Sequence, residues 1–165
     1  MFKKTLALVI AAFAMNAVAL DTPIIGNVES KCVVTTDKSG VYGNPSPSIL
    51  STDSVDGGVE PVVRFDVVIA DAYKAVIEHP ISFSQSPALN DVVSWTGSTS
   101  VEAVSDAGMS AYDTDKITYD NVTEVDLSIA GSTWFKVSSE ADYGISKALP
   151  GGTYTAIVEA NCVAL

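Results

Sequence analysis

Histidine, cysteine and basic side chains are all scarce in this chain. Of 165 residues, 1 is His, 2 are Cys and 9 are Lys or Arg, against 20 Asp or Glu. Each scarcity removes a class of function. One histidine and two cysteines cannot supply a zinc centre with three or four ligands once the cysteines are bonded to each other. A formal charge of −11 repels nucleic-acid phosphates and anionic bilayers, so neither is expected as a partner. No G-x-S-x-G turn is present to expose a nucleophilic serine. After residue 20 no apolar run approaches the ~18 residues of a membrane-spanning helix. No stretch of about 11 residues keeps an apolar period of 3.6 either, which leaves no amphipathic helix to expect. Disorder is excluded by the 47% hydrophobic content.

What is present begins with the amino-terminal segment. Lys3 and Lys4 precede an apolar run from Thr5 to Met15, and Ala17-Val18-Ala19 places small residues before a cleavage point. That three-part pattern predicts a secretory signal over residues 1–19 and a mature domain over 20–165. A membrane anchor is the competing reading, but the run is short and Asp21 and Pro23 follow at once. Cleavage removes two lysines, leaving 7 basic residues against 20 acidic ones and a charge of −13. The expected location is outside the cytoplasm, either extracellular, at the cell surface or in the periplasm. In such a compartment Cys32 and Cys162 most simply form a disulfide joining the two ends of the mature chain. A metal pair or a catalytic thiol is the alternative, and neither cysteine has a histidine nearby in sequence.

The mature chain reads as strands and turns. Val62 to Ala70 alternates, with Val63, Phe65, Val67 and Ile69 on one face and Arg64 and Asp66 on the other. Tyr73 to His79 follows after a short turn and reads as its hairpin partner. Val92 to Val104 is interrupted at Gly97 and can be read as two strands. Further runs lie at 28–36, 116–130 and 133–138. The last is Thr153 to Val163, where Tyr154, Ala156, Val158, Ala160 and Cys162 share a face. About eight short strands with turns between them predict an all-β sandwich, of immunoglobulin-like or pilin-like type, with one disulfide.

Few residues suggest chemistry. His79 is the lone histidine, beside Glu78 and Pro80, and reads as a surface or turn residue rather than a general base. Asp113, Asp115 and Asp120 could present oxygens to calcium, although Lys116 lies among them and no EF-hand glycine or closing Glu is present. Asp53 and Asp56 beside Gly57-Gly58 are a weaker version, and solvated turn aspartates explain both stretches as well. No cofactor is expected, calcium being the one ion worth considering. Trp95 and Trp134 could form a sugar-stacking platform, but sandwich cores commonly bury tryptophan, and core packing is the better expectation for both.

The stretch Leu149-Pro150-Gly151-Gly152-Thr153-Tyr154-Thr155-Ala156-Ile157-Val158 resembles the closing turn and strand of bacterial immunoglobulin-like and fimbrial (pilin-type) domains. In the chaperone–usher pilins the two cysteines commonly lie in the amino-terminal half, whereas here they lie near the two ends. The resemblance implies an exported structural or adhesive protein, a subunit of a surface fibre, fimbria or biofilm matrix, and not an enzyme. A secreted carbohydrate- or calcium-binding module is the alternative. Before the first cysteine, Leu20 to Val28 carries Ile24, Ile25 and Val28 outside the disulfide loop. This segment either folds back as an edge strand or adds to the sheet of a neighbouring copy, making self-association into fibres, or with other surface proteins, the expected partnership.

Overall fold

The computed structural model describes residues 24–26, 31–106, 108, 117–118 and 122–165. Within them the chain is all-β, with two antiparallel sheets and a single short 3-10 turn at Ser54–Asp56. The larger sheet contains β1 (Cys32–Lys38), β2 (Gly43–Ser46), β3 (Ile49–Ser51), β4 (Val62–Val67), β6 (Ser94–Val104), β7 (Ile117–Thr118) and β9 (Gly131–Asp142). The smaller contains β5 (Tyr73–Glu78), β8 (Val122–Asp126) and β10 (Glu159–Ala164), in the order β10-β5-β8. Ten strands are thus present among the described residues where about eight were expected, because β2, β3 and β7 are only two to four residues long.

β9 organises the larger sheet. Thr133 to Asp142 pairs with β6 on one edge, while β4 pairs with Gly131 to Lys136 and β3 with Glu140 to Asp142 on the other. Alternation along it is strict: Thr133, Phe135, Val137, Ser139 and Ala141 are buried and the residues between them are half-buried. The inward residues of β4 and β9 meet those of the smaller sheet in one core, with Val63, Phe65, Val67, Phe135 and Val137 against Tyr73, Ala75 and Ile77. Phe65 and Phe135 pack edge to face at 5.4 Å, the arrangement that opposes the positive edge of one ring to the negative face of the other.

Two expectations about pairing fail. β5 is not the hairpin partner of β4; it pairs with β8 and β10 in the other sheet. The link between them crosses the sandwich, turning at Asp71 with a φ of 55°. The run around Gly97 is one strand, since Gly97 sits in ladder register with Ser139, and the irregularity falls instead between Val101 and Ala103.

The disulfide forms as expected. Cys32 opens β1, an edge strand of the larger sheet, and Cys162 lies in β10, an edge strand of the smaller, with their Cα atoms 6.2 Å apart. The bond therefore stitches the two sheets together along one side, and both cysteines are half-buried rather than fully enclosed. Closing a loop of 130 residues restricts the unfolded chain by about 5 kcal/mol in the chain-entropy model.

Candidate groove between the edge strands

On the side carrying the disulfide, both sheets end in strands with one free edge: β1 pairs only with β4, and β10 only with β5, among the described residues. The disulfide closes one end of this seam. Toward the other end the seam opens into a groove of about 620 Å³. Its floor is the inner face of the larger sheet, at Leu50, Thr52, Val63 and Ser139. One wall is the chain leaving β1, around Val41 and Tyr42, and the other is the segment 152–158.

That second wall is unusual. Tyr154, Ala156 and Val158 are half-buried and Thr153, Thr155 and Ile157 exposed, so the side chains alternate as in a strand. Sequence periodicity accordingly predicts a strand from Thr153, but the ladder begins only at Glu159. Within 153–158, Thr155 alone bonds through its backbone to another described residue, exchanging hydrogen bonds with Gln85 at 2.8 and 3.2 Å. Successive residues of an extended chain direct their peptide groups to opposite edges. The groups of Tyr154 and Ala156 thus point away from Gln85, with no backbone partner among the described residues. A strand laid beside this edge would satisfy them and cover the floor.

The rest of the groove is well held. Thr52 and Ser139 are buried and lock β3's exit to β9: Ser139 N–H donates to Thr52 Oγ1 at 2.8 Å, and Thr52 N–H donates to the Ser139 carbonyl at 2.9 Å. Tyr42 lies across them with its hydroxyl 3.0 Å from Ser139 Oγ. Burial raises the Tyr42 pKa above the ordinary 10.0, partly offset by that hydrogen bond. Phe83 stands edge-on to Tyr42, Tyr154 and Trp95, at 6.4, 5.0 and 4.8 Å. Gly43 and Gly58 allow the loops here to touch, since a Cβ on either would collide with the backbone of Asp56 or Ser51.

The residues singled out from sequence fall into different places. Trp95 is half-buried against the core and Phe83. Trp134 is not a core residue: it lies on the solvent side of β9, opposite Arg64. The two tryptophans occupy opposite faces of the larger sheet, so they form no shared platform. His79, expected at the surface, is only 6% exposed. It continues the inward phase of Tyr73, Ala75 and Ile77, and its Nε2 lies 3.3 Å from Thr123 Oγ1 and closer to Thr99 Oγ1. Asp53 caps the short 3-10 turn, accepting from Val55 N–H at 3.0 Å, which is turn chemistry rather than ion binding. Asp113, Asp115 and Asp120 lie outside the described residues, as do 1–19, Leu20 and Val28. Among the described residues no group of three His, Cys, Asp or Glu is placed to hold a metal ion, and no helix is long and apolar enough to cross a membrane. Ile24 and Ile25 stand 98% and 89% exposed, so neither is docked as an edge strand of its own sandwich.

Comparison with known proteins returns no match to a family model, a curated protein or a solved structure.

Proposed function

We propose that this protein is an exported structural subunit that self-associates by strand addition, in a surface fibre, fimbria or biofilm matrix. Leu20 to Val28 of one copy enters the groove of the next. The observation that carries this reading is the pairing of two incomplete features. One is the open groove, where Tyr154 and Ala156 have no backbone partner among the described residues; the other is an amino-terminal segment that carries Ile24 and Ile25 in solvent. Main-chain hydrogen bonds to Tyr154 and Ala156 would supply affinity. Isoleucine side chains over Leu50 and Val63 would supply specificity. Pro23 and Gly26 limit the segment to an edge-type strand, which suits exchange better than permanent residence in a sheet. Donor and acceptor are different surfaces, so the contact repeats without closing and builds a filament. The disulfide keeps each copy intact meanwhile.

The test is deletion of Leu20 to Gly26 from the mature protein, followed by light scattering and electron microscopy. Loss of polymers with the monomer still folded supports strand addition. Polymers unchanged by the deletion, or a parent protein that stays monomeric at high concentration, overturn it.

A further inference from the structure

Direction, proline and side-chain size each constrain how a segment can lie in the groove. β1 runs from Cys32 at the disulfide toward 39–42 at the groove, and 153–158 runs the other way, from the groove toward Cys162. The residues ahead of Cys32 therefore leave each copy at its closed end, whereas the groove lies at the open end. Val28 precedes Cys32 by four residues, at most about 14 Å of chain, which keeps Val28 near the mouth of the next groove. A segment entering there leads with its amino terminus and runs antiparallel to 153–158.

Proline then selects the phase. Thr155 turns its peptide groups to Gln85, so those of Tyr154 and Ala156 face the groove. In an antiparallel pair, residues that exchange hydrogen bonds stand directly opposite one another. Pro23 has no N–H to give and belongs among the residues facing away. The even residues, Thr22, Ile24, Gly26 and Val28, thus face Tyr154 and Ala156. Opposed residues also share a face of the sheet. Tyr154 and Ala156 are half-buried and in phase with Val158 and Ala160, which pack on the core. The even residues accordingly turn to the floor, and Asp21, Ile25 and Asn27 to solvent.

Size fixes the register within that phase. We infer that Ile24 of one copy lies opposite Ala156 of the next and Gly26 opposite Tyr154, so that Ile24 specifies the contact and Ile25 does not. Large residues then face small ones along the pair, with Val28 opposite Gly152 as well. A slip of two residues one way sets Ile24 against Tyr154, and the other way sets Val28 against it; both crowd the wall. The groove's ligand is therefore an extended segment with glycine two residues after a branched apolar side chain. Ile25 falls beside Thr155 and Ile157, on the exposed side of the wall. The assignment rests on strand addition and narrows it: of two isoleucines 98% and 89% exposed in the monomer, one enters.

The experiment uses the mature protein and reads the concentration at which polymers form, by light scattering. Ile24→Ser should raise it roughly tenfold or more, for the loss of a buried branched side chain, and Ile25→Ser by about twofold or less. Gly26→Val should raise it as Ile24→Ser does, although a Cβ at Gly26 meets nothing within 4 Å in the monomer. In a second arm, polymers carrying Ile24→Cys with Ala156→Cys are oxidised after assembly and mapped without reduction. Opposed Cα atoms of such a pair stand about 5.5 Å apart, within reach of a disulfide, so copies should become linked. Ile25→Cys with Ala156→Cys places the thiols on opposite faces and should not link. An Ile25→Ser effect equal to that of Ile24→Ser, or a link from position 25 but not 24, overturns the alignment and leaves strand addition standing. A parent that stays monomeric, or polymers indifferent to all three single substitutions, overturns strand addition and the alignment with it.

Discussion

The two ends of the seam between β1 and β10 lie along the same two runs of chain, the strands at one end and their continuations 39–42 and 152–158 at the other, and differ in almost everything else. At the closed end the disulfide joins Cys32 to Cys162, and beneath it the sheets meet through Phe65, Phe135, Ala75 and Leu127, all at most 1% exposed. At the open end the floor includes Thr52 and Ser139, hydrogen-bonded to each other, and the covering segment 153–158 is fastened mainly at Thr155. One end is completed by its own chain. The other has its polar groups satisfied along the floor, while Tyr154 and Ala156 on the rim have no backbone partner among the described residues, the condition in which a free strand edge recruits another chain. The difference teaches that, if the proposed strand addition holds, this sandwich keeps its stability and its capacity for association in separate places.

That separation is broken most sharply by substitutions at the closed end. Phe135→Ala removes a fully buried ring and its edge-to-face partner Phe65, and should cost about 3–5 kcal/mol. Chemical denaturation of the monomer measures it; a loss near zero would mean the two sheets are not packed through these rings. Cys162→Ser comes next, with an expected loss of about 2–5 kcal/mol for a native disulfide. Non-reduced peptide mapping should show the Cys32–Cys162 link in the parent, and free thiols there would remove the closed end altogether.

How far the sequence reveals this architecture depends on which interactions are local. Side-chain phase is local, and it is legible almost everywhere. Every even position from Tyr154 to Cys162 is half-buried and every odd one from Thr153 to Val163 exposed. Ladder partners are not local. The chain at 153–158 has the phase of a strand but pairs through its backbone only at Thr155 among the described residues, so alternation alone overstated β10. Likewise the short link after Val67 suggested a hairpin, whereas the partners that capture β5 are Val122–Asp126 and Glu159–Ala164, far along the chain. Two misplacements came from residue type overriding phase. Trp134 is in step with Lys136 and Ser138, not with Phe135 and Val137, and His79 is in step with Ile77 and Ala75. Phase would have put the tryptophan outside and the histidine inside. The groove itself had no sequence signal, since it is made by what fails to pair.

A smaller effect tests how firmly the open end is floored. Tyr42 holds its proton past the ordinary value of 10.0, because burial disfavours the phenolate. In the unfolded chain the phenol ionises at about its ordinary value. Between those two points the folded state binds more protons than the unfolded one, so stability falls as pH rises above 10. Below pH 10 this contribution is fully present. Tyr42→Phe should reduce the alkaline slope, to which Tyr154 also contributes, and cost about 0.5–1.5 kcal/mol at neutral pH for the lost bond to Ser139. Parallel denaturation curves at pH 8 and above pH 10 decide it; an unchanged slope would show that Tyr42 is not enclosed.

The smallest expected change in stability carries the most weight for the comparison. Ile24 and Ile25 are almost wholly in solvent, so replacing both by Ser should leave the denaturation midpoint of the monomer within about 0.5 kcal/mol of the parent. The same pair forms the apolar centre of the segment proposed to enter a neighbour's groove, flanked by Leu20 and Val28, so polymer formation should fail in that variant. The two readouts separate the explanations. A stability loss as large as that of Cys162→Ser would mean that the isoleucines dock within their own chain and finish the open end in cis. Unchanged stability with unchanged polymers would mean that the groove is filled by something else. Unchanged stability with polymers lost is the outcome expected if the open end is completed only by another copy.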